Sequence, residues 1–198
     1  MTAPALLPDA DASFRGRLLA GMAAAIREHG FQATTVAEVV RRARTSRRTF
    51  YQHFEDREAC FLALFDLVSE QVLAVITEAA TGEDAWERRV DRTLAAYLAA
   101  LAAEPELTRS CLAELPALGP EGIARARAMD ERAARQLSRL VEEARVHDPE
   151  LRPLTPEAAL VLTGGFRELV LWTLDQGRDL TELQAVAGDL VRRITMNP

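Results

Sequence analysis

Five arginines fall between Arg41 and Arg48, and no acid stands between Glu38 and Glu55, in a chain of 198 residues whose formal net charge is -6. Guanidinium groups at this density suit phosphate oxygens, and their planar fork of donors also matches the O6/N7 edge of guanine. Just beyond them Tyr51, Gln52 and His53 each bring a donor that can reach a phosphate oxygen or a base edge. The positive charge is local. Residues 1–58 hold nine Arg against seven acids, giving +2, whereas residues 59–198 hold 15 Arg against 23 acids, giving -8. A charge run by itself describes only a solvated face, so the helix signals around it decide what it does.

Those signals are explicit. Phe14, Leu18, Met22 and Ile26 recur every four residues, and His29-Gly30 ends that first helix with Gly at a left-handed position. Thr35 and Glu38 have capping-box spacing, and Val36, Val39, Val40 and Ala43 then share one face of a short second helix. Ser46 is a natural N-cap for a third helix whose inward residues are Phe50 and Phe54. Two short helices joined by about three residues, the second Ser-capped and rich in Arg at its start, make a helix-turn-helix that can enter a major groove N-terminus first.

Beyond this head the chain is a succession of helices punctuated by Pro and Gly. Asp56 caps a long helix reaching about Ala80, and Trp86, Val90, Leu94, Tyr97 and Leu101 mark the next. Glu104-Pro105 breaks it, a short helix runs to about Glu114, and LPALGPEG reads as a loop. A long Arg/Glu-rich helix spans about 121–146. Thr155-Pro156-Glu157 opens another that ends before Gly177, and the last, about 180–195, carries Leu183, Val186, Ala187, Leu190 and Ile194 on one stripe. Few Val, Ile and Gly/Asn turn pairs leave no support for a sheet, so the fold class is all-α.

The chemistry that is absent excludes several enzyme classes. There is no lysine, which removes a Walker A lysine and a Schiff-base lysine. His29, His53 and His147 are far apart and none follows a Glu by three residues, so the paired sites of di-iron bundles are missing. No nucleophile-elbow or dinucleotide glycine motif occurs. Cys60 and Cys111 sit in apolar helical segments and read as reduced core thiols. The expectation is a non-enzyme with no cofactor and no metal site. The N-terminus lacks a basic n-region, and the longest uninterrupted apolar run, Leu94 to Ala103, is too short for a bilayer, so a cytoplasmic protein with no membrane partner is expected.

The segment GFQATTVAEVVRRARTSRRTFYQHFEDREACFLALF, Gly30 to Phe65, resembles the DNA-binding region of the TetR family of transcriptional regulators. The match covers the first four helices closely and the rest only in length and helix order. By position, the resemblance implies DNA-facing roles for Thr45, Ser46, Arg47, Arg48, Tyr51, Gln52 and His53. It further implies that Thr35 caps the second helix toward the DNA backbone and that Arg57 grips phosphate. Two residues depart from the pattern: Arg44 stands where the turn usually has Gly, and Arg48 where a Gly often opens the recognition helix.

The same resemblance implies a larger helical domain that binds a small-molecule effector and dimerises through the last two helices. Trp86, Tyr97, Cys111, Met129, Phe166 and Trp172 come from helices expected to surround its pocket, and their aromatic and aliphatic character suits a lipophilic ligand. Gly164-Gly165 would permit a close helix approach in a dimer. The expected organisation is a mobile arm over 1–11, a helix-turn-helix domain over 12–58, and a ligand-binding and dimerisation domain over 59–198. The expected function is a homodimeric repressor on a near-palindromic double-stranded DNA operator, released by its effector, with an activator or co-regulator of the same fold, or more remotely a helical enzyme, as the alternatives.

Overall fold

The computed structural model describes residues 13–196, and among them the chain forms α-helices and two short 3-10 turns with no strand. The arm expected over 1–11 lies outside the described residues. Contacts group the described residues into two compact units, one of 13–71 with 103–126, the other of 72–102 with 127–196.

In the first unit α1 (Phe14–Ala33) starts at Ser13, whose hydroxyl accepts the Gly16 N–H at 3.0 Å. Leu18, Met22 and Ile26 are wholly buried. Phe14, one turn ahead of that packed stretch, departs from the expected stripe: it is 51% exposed, with the Arg17 guanidinium 4.6 Å from its ring centre. Gly30, at φ 74 and ψ 168, breaks the helix at the predicted place, and one further turn follows to Ala33.

α2 (Val36–Arg42) and α3 (Arg47–His53) follow, then α4 (Arg57–Ala80). Gly21 lets α1 approach α2 closely, because a Cβ there would stand 2.7 Å from the Val39 carbonyl oxygen and 3.1 Å from the Ala43 nitrogen. Aromatic rings fill the centre: Phe31 stacks on Phe61 at 4.1 Å, and Phe50 meets Phe54 at 5.7 Å. α4 is long and apolar enough to cross a membrane by length and composition, although charged and polar residues interrupt its apolar runs. Its Phe61, Leu64 and Val68 are instead buried in the protein.

α6 (Pro105–Ala113) belongs to this same unit. Arg27 of α1 donates through Nε and Nη2 to the two carboxylate oxygens of Glu104, at 2.6 and 2.7 Å, and Gln32 donates to Glu114. The stretch expected as a loop is ordered into a 3-10 turn, Leu115–Leu118, and the first turn of α7 (Gly119–Arg145), since Pro120 fits the start of a helix.

The second unit contains α5 (Trp86–Ala102), most of α7, α8 (Pro156–Asp175) and α9 (Leu183–Thr195). Thr155 caps α8 by accepting the Ala158 N–H at 3.2 Å, and Gly177 at φ 64 follows its end. Trp86, Val90, Leu94, Val141, Leu162 and Val191 share one apolar core, in which the Trp86 indole donates to Thr195 Oγ1 at 2.8 Å.

The single stripe expected on the last helix is divided. Leu183, Ala187 and Val191 are buried, whereas Val186 is 62% and Leu190 42% exposed. An apolar arc wider than one neighbour can cover leaves its flank uncovered. The same occurs on α8, where Leu160, Val161 and Trp172 are exposed. A Cβ built at Gly164 or Gly165 would meet nothing within 4 Å.

Candidate nucleic-acid interface and effector site

The helix-turn-helix is assembled by local hydrogen bonds. Thr35 and Glu38 form a reciprocal capping box, each backbone N–H donating to the other's side chain at 3.3 Å. Ser46 accepts the Thr49 N–H at 3.1 Å and shares a hydrogen bond with the Thr49 hydroxyl at 2.9 Å. Between them the chain reverses through Arg44, whose φ of 50 makes it the one non-Gly residue with positive φ among the described residues. The turn is closed by Thr45 N–H donating to the Val40 carbonyl at 3.0 Å. A left-handed turn is thus kept without Gly, at a backbone cost of about 1 kcal/mol.

This geometry sorts the residues of α3. Phe50 and Phe54 turn inward and are buried, while Ser46, Arg47, Arg48, Tyr51, Gln52 and His53 are exposed. Thr35 is exposed and Thr45 half-buried at the two ends of the turn region. Among the described residues, none of Arg41, Arg44, Arg47 and Arg48 has a hydrogen-bond or ion-pair partner.

Arg42 accounts for the nearby acids. It pairs with Glu28 and, at 3.5 Å, with Glu38, and His29 lies 3.3 Å from Glu38. The hydrogen bond from Arg42 holds the Glu28 carboxyl below its usual range. Glu38 is held low as well: partial desolvation is outweighed by the Thr35 N–H, His29 and Arg42. Glu28 and Glu38 are therefore paired inside the unit with Arg42, and Arg44, Arg47 and Arg48 keep their charge on the outward side.

Arg57 is engaged differently from the role the resemblance implies. Its Nη1 donates to the carbonyl of Thr34 at 2.9 Å, with those of Gln32 and Phe31 at 3.3 and 3.4 Å, and its Nε and Nη2 reach Glu58. Its guanidinium also lies 4.4 Å from the centre of the Phe31 ring. These contacts tie the start of α4 to the end of α1, a long-range arrangement that no local spacing announces.

The six residues expected around an effector are divided between the two units. Cys111 belongs to the first unit, where burial pushes its thiol up to about 12. The other five belong to the second. Trp86 sits in the apolar core with Phe166 packed against it. Trp172 is 49% exposed, with the Arg178 guanidinium 5.7 Å from its ring centre. Met129 is half-buried on α7.

Tyr97 is the polar member. Burial, and then the neighbouring Asp130 carboxylate, push its phenol up to about 12 against the pull of Arg167. Asp130 and Arg167 were not singled out from sequence, although each is a charge on the part-buried side of its helix. Arg167 Nε lies 3.4 Å from Asp130 Oδ1, within ion-pair range, yet it is buried and lacks an aligned hydrogen-bond acceptor. Desolvation raises the Asp130 carboxyl above its usual range despite the charge of Arg167 and the hydrogen-bonding proximity of its guanidinium.

Comparison with known proteins places this geometry. Residues 18–64 match the family described as bacterial regulatory proteins, tetR family. The fatty acid degradation regulator FadR of Bacillus halodurans is similar in structure, with a TM-score of 0.77 at 19% identity over 92% of this chain and 96% of that one. FadR of Bacillus subtilis in complex with stearoyl-CoA gives 0.73 at 18% identity, over 88% and 96%. A tetR-family regulatory protein from Rhodococcus RHA1 gives 0.70 at 21% identity, over 95% and 100%. No functionally curated sequence matches the chain. At these identities the structural likeness establishes the fold.

Proposed function

We propose, from the premise that the chain is a member of the TetR family of bacterial regulatory proteins, that it is a homodimeric repressor released from its operator by a small lipophilic molecule. The observation that carries the reading is the outward face of α3. A capped seven-residue helix presents Arg47, Arg48, Tyr51, Gln52 and His53 to solvent while Phe50 holds it to the core. Residues 12–58 take the DNA-binding role and 59–198 the effector and dimerisation roles. Ser46, Thr45 and Thr35 present polar atoms at the helix ends, where backbone phosphates are gripped.

Exposed apolar residues support dimerisation. Val161 and Trp172 on α8 with Val186 and Leu190 on α9 leave an apolar surface that a second copy would cover, and Gly164-Gly165 leaves room for a close approach. An isologous pair would present two recognition helices to a near-palindromic site, with half-site centres on the order of 34 Å apart or somewhat more. That FadR of Bacillus subtilis was solved with stearoyl-CoA supports a lipophilic effector for this chain. Coupling between the two ligands is reciprocal, so operator DNA must weaken the effector by the factor by which the effector weakens DNA, typically about 5 to 150-fold.

The test is selection of genomic fragments by the purified full chain, followed by gel shift of the selected site over a salt series. A palindromic site bound far more tightly than its half, with a log-log salt slope of about -0.9 per phosphate neutralised, is expected. A monomer that binds half-sites as well as full sites would overturn the dimeric reading, and selection of no fragment would overturn the regulator itself.

A further inference from the structure

Three helices of the second unit each contribute one ionisable side chain to one group of interacting charges: Asp130 from α7 pairs with Arg167 from α8, and Tyr97 from α5 lies within the field of both. An apolar bundle gains nothing from this. Holding an ion pair partly out of water with one guanidinium N–H unmatched is unfavourable, and an apolar replacement of similar volume is often neutral or stabilising. The pairing is also incomplete. The Asp130 side chain is 20% and that of Arg167 37% exposed, and Nε is buried at 3.4 Å from Oδ1 with no aligned acceptor. Phe166, one residue before Arg167, packs on the apolar core, and Met129, one residue before Asp130, is half-buried, so both helices turn apolar side chains toward the interior of this unit.

We infer that Arg167 anchors the effector by pairing with a carboxylate at its polar end, while the apolar remainder packs beside Phe166 and Met129. The effector is thereby an amphipathic organic acid. This rests on the effector reading above and names its ligand class.

The sign of the ligand charge follows from which partner can yield. A guanidinium stays protonated at any accessible pH and offers five donors in a fork that fits a carboxylate, so it must find negative charge. Asp130 can give up its charge by taking a proton, and burial favours that change. A ligand carboxylate that displaces Asp130 completes the donor set of Arg167. A cationic ligand on Asp130 would take from the guanidinium the carboxylate it pairs with and supply no other. The Tyr97 hydroxyl, protonated throughout the working range, is a neutral donor in the same group.

The experiment uses the purified full chain with sodium laurate and uncharged dodecanol, read by equilibrium dialysis without DNA and, separately, by operator release in a gel shift. For the wild type, laurate is expected to bind at least tenfold more tightly than dodecanol. Arg167→Gln should abolish that preference, Arg167→Lys should restore part of it, and Asp130→Asn should keep or raise laurate affinity because the competing carboxylate is gone. Circular dichroism of each variant checks folding, and Arg167→Lys carries the test if Arg167→Gln does not fold. Equal affinity for laurate and dodecanol, no binding of laurate, or unchanged laurate preference in Arg167→Gln would each overturn the anchor. Anchor and regulation separate cleanly: laurate bound through Arg167 without operator release overturns the effector reading alone, whereas operator release by dodecanol that Arg167→Gln leaves intact overturns the anchor alone.

Discussion

Arg57 donates its Nη1 to the backbone carbonyl of Thr34 at 2.9 Å, across 23 residues of sequence, and so closes the end of α1 against the start of α4. A charge-assisted bond to a carbonyl contributes about 1.5–3 kcal/mol. Arg57→Gln should therefore lower the denaturant midpoint by a stability loss of about that size. Because its donors face carbonyls and Glu58, the salt slope of DNA binding should change by much less than the ~0.9 of one phosphate contact. A slope reduced by a full unit in a variant of native stability would make Arg57 a phosphate ligand instead.

Gly21→Ala and Gly164→Ala should have opposite effects on the isolated fold. At Gly21 the new Cβ meets the Val39 carbonyl oxygen at 2.7 Å, and a backbone atom cannot yield as a flexible side chain does. Overpacking of this kind costs about 1–3 kcal/mol. At Gly164 the Cβ meets nothing within 4 Å, so helix propensity alone should act, adding about 0.5–1 kcal/mol. Urea titrations under monomeric conditions check both. If the dimer face is packed at the glycines, Gly164→Ala should weaken self-association while it stabilises the monomer.

Val186→Asp should convert a dimer to a monomer. The side chain is 62% exposed, so an aspartate there disturbs no core, yet it places charge in the surface offered to the second copy. Sedimentation should show the change with helicity unaltered, and operator affinity should fall with it. A variant that remains dimeric locates the interface elsewhere.

Arg48 occupies the exposed first turn of α3, where a side chain approaches base edges. Arg48→Gly should relax preference at one symmetric pair of operator positions, a loss of about 1–3 kcal/mol of discrimination if the contact is bidentate to guanine. Selection of randomised operators by both proteins measures this. Uniform weakening, with the salt slope reduced by about 1, would assign Arg48 to phosphate.

Burial raises the Cys60 thiol to about 12 against the opposing charge of Arg15, and burial raises Cys111 to about 12. At pH 8 the native protein should hold almost no thiolate, so both should resist a disulfide reagent until the chain unfolds, when two thiols react rapidly. Rapid native-state labelling would show that one of them is reachable.

The sequence alone determined what neighbouring residues decide. The Thr35–Glu38 capping box, the Ser46 and Thr155 caps, the Asp56 hydrogen bond to the Ala59 N–H and the breaks at Gly30 and Pro105 are all i to i+3 or single-residue effects, and all stand where the spacing puts them. The inward Phe50 and the outward Arg47 and Arg48 follow from helical periodicity once the cap sets the register. Tertiary structure decided whatever depends on residues distant along the chain. Periodicity marks Val186, Ala187 and Leu190 as one apolar arc, yet only packing shows that Ala187 is covered while the other two are not. Arg57 reads as one more exposed cation until the carbonyls of α1 arrive beside it. Asp130 and Arg167 are 37 residues apart, and each read alone is an ordinary surface charge. Their meeting with Tyr97 is a property of three packed helices, because charge–charge distance in an interior is set by the fold and not by spacing along any one helix.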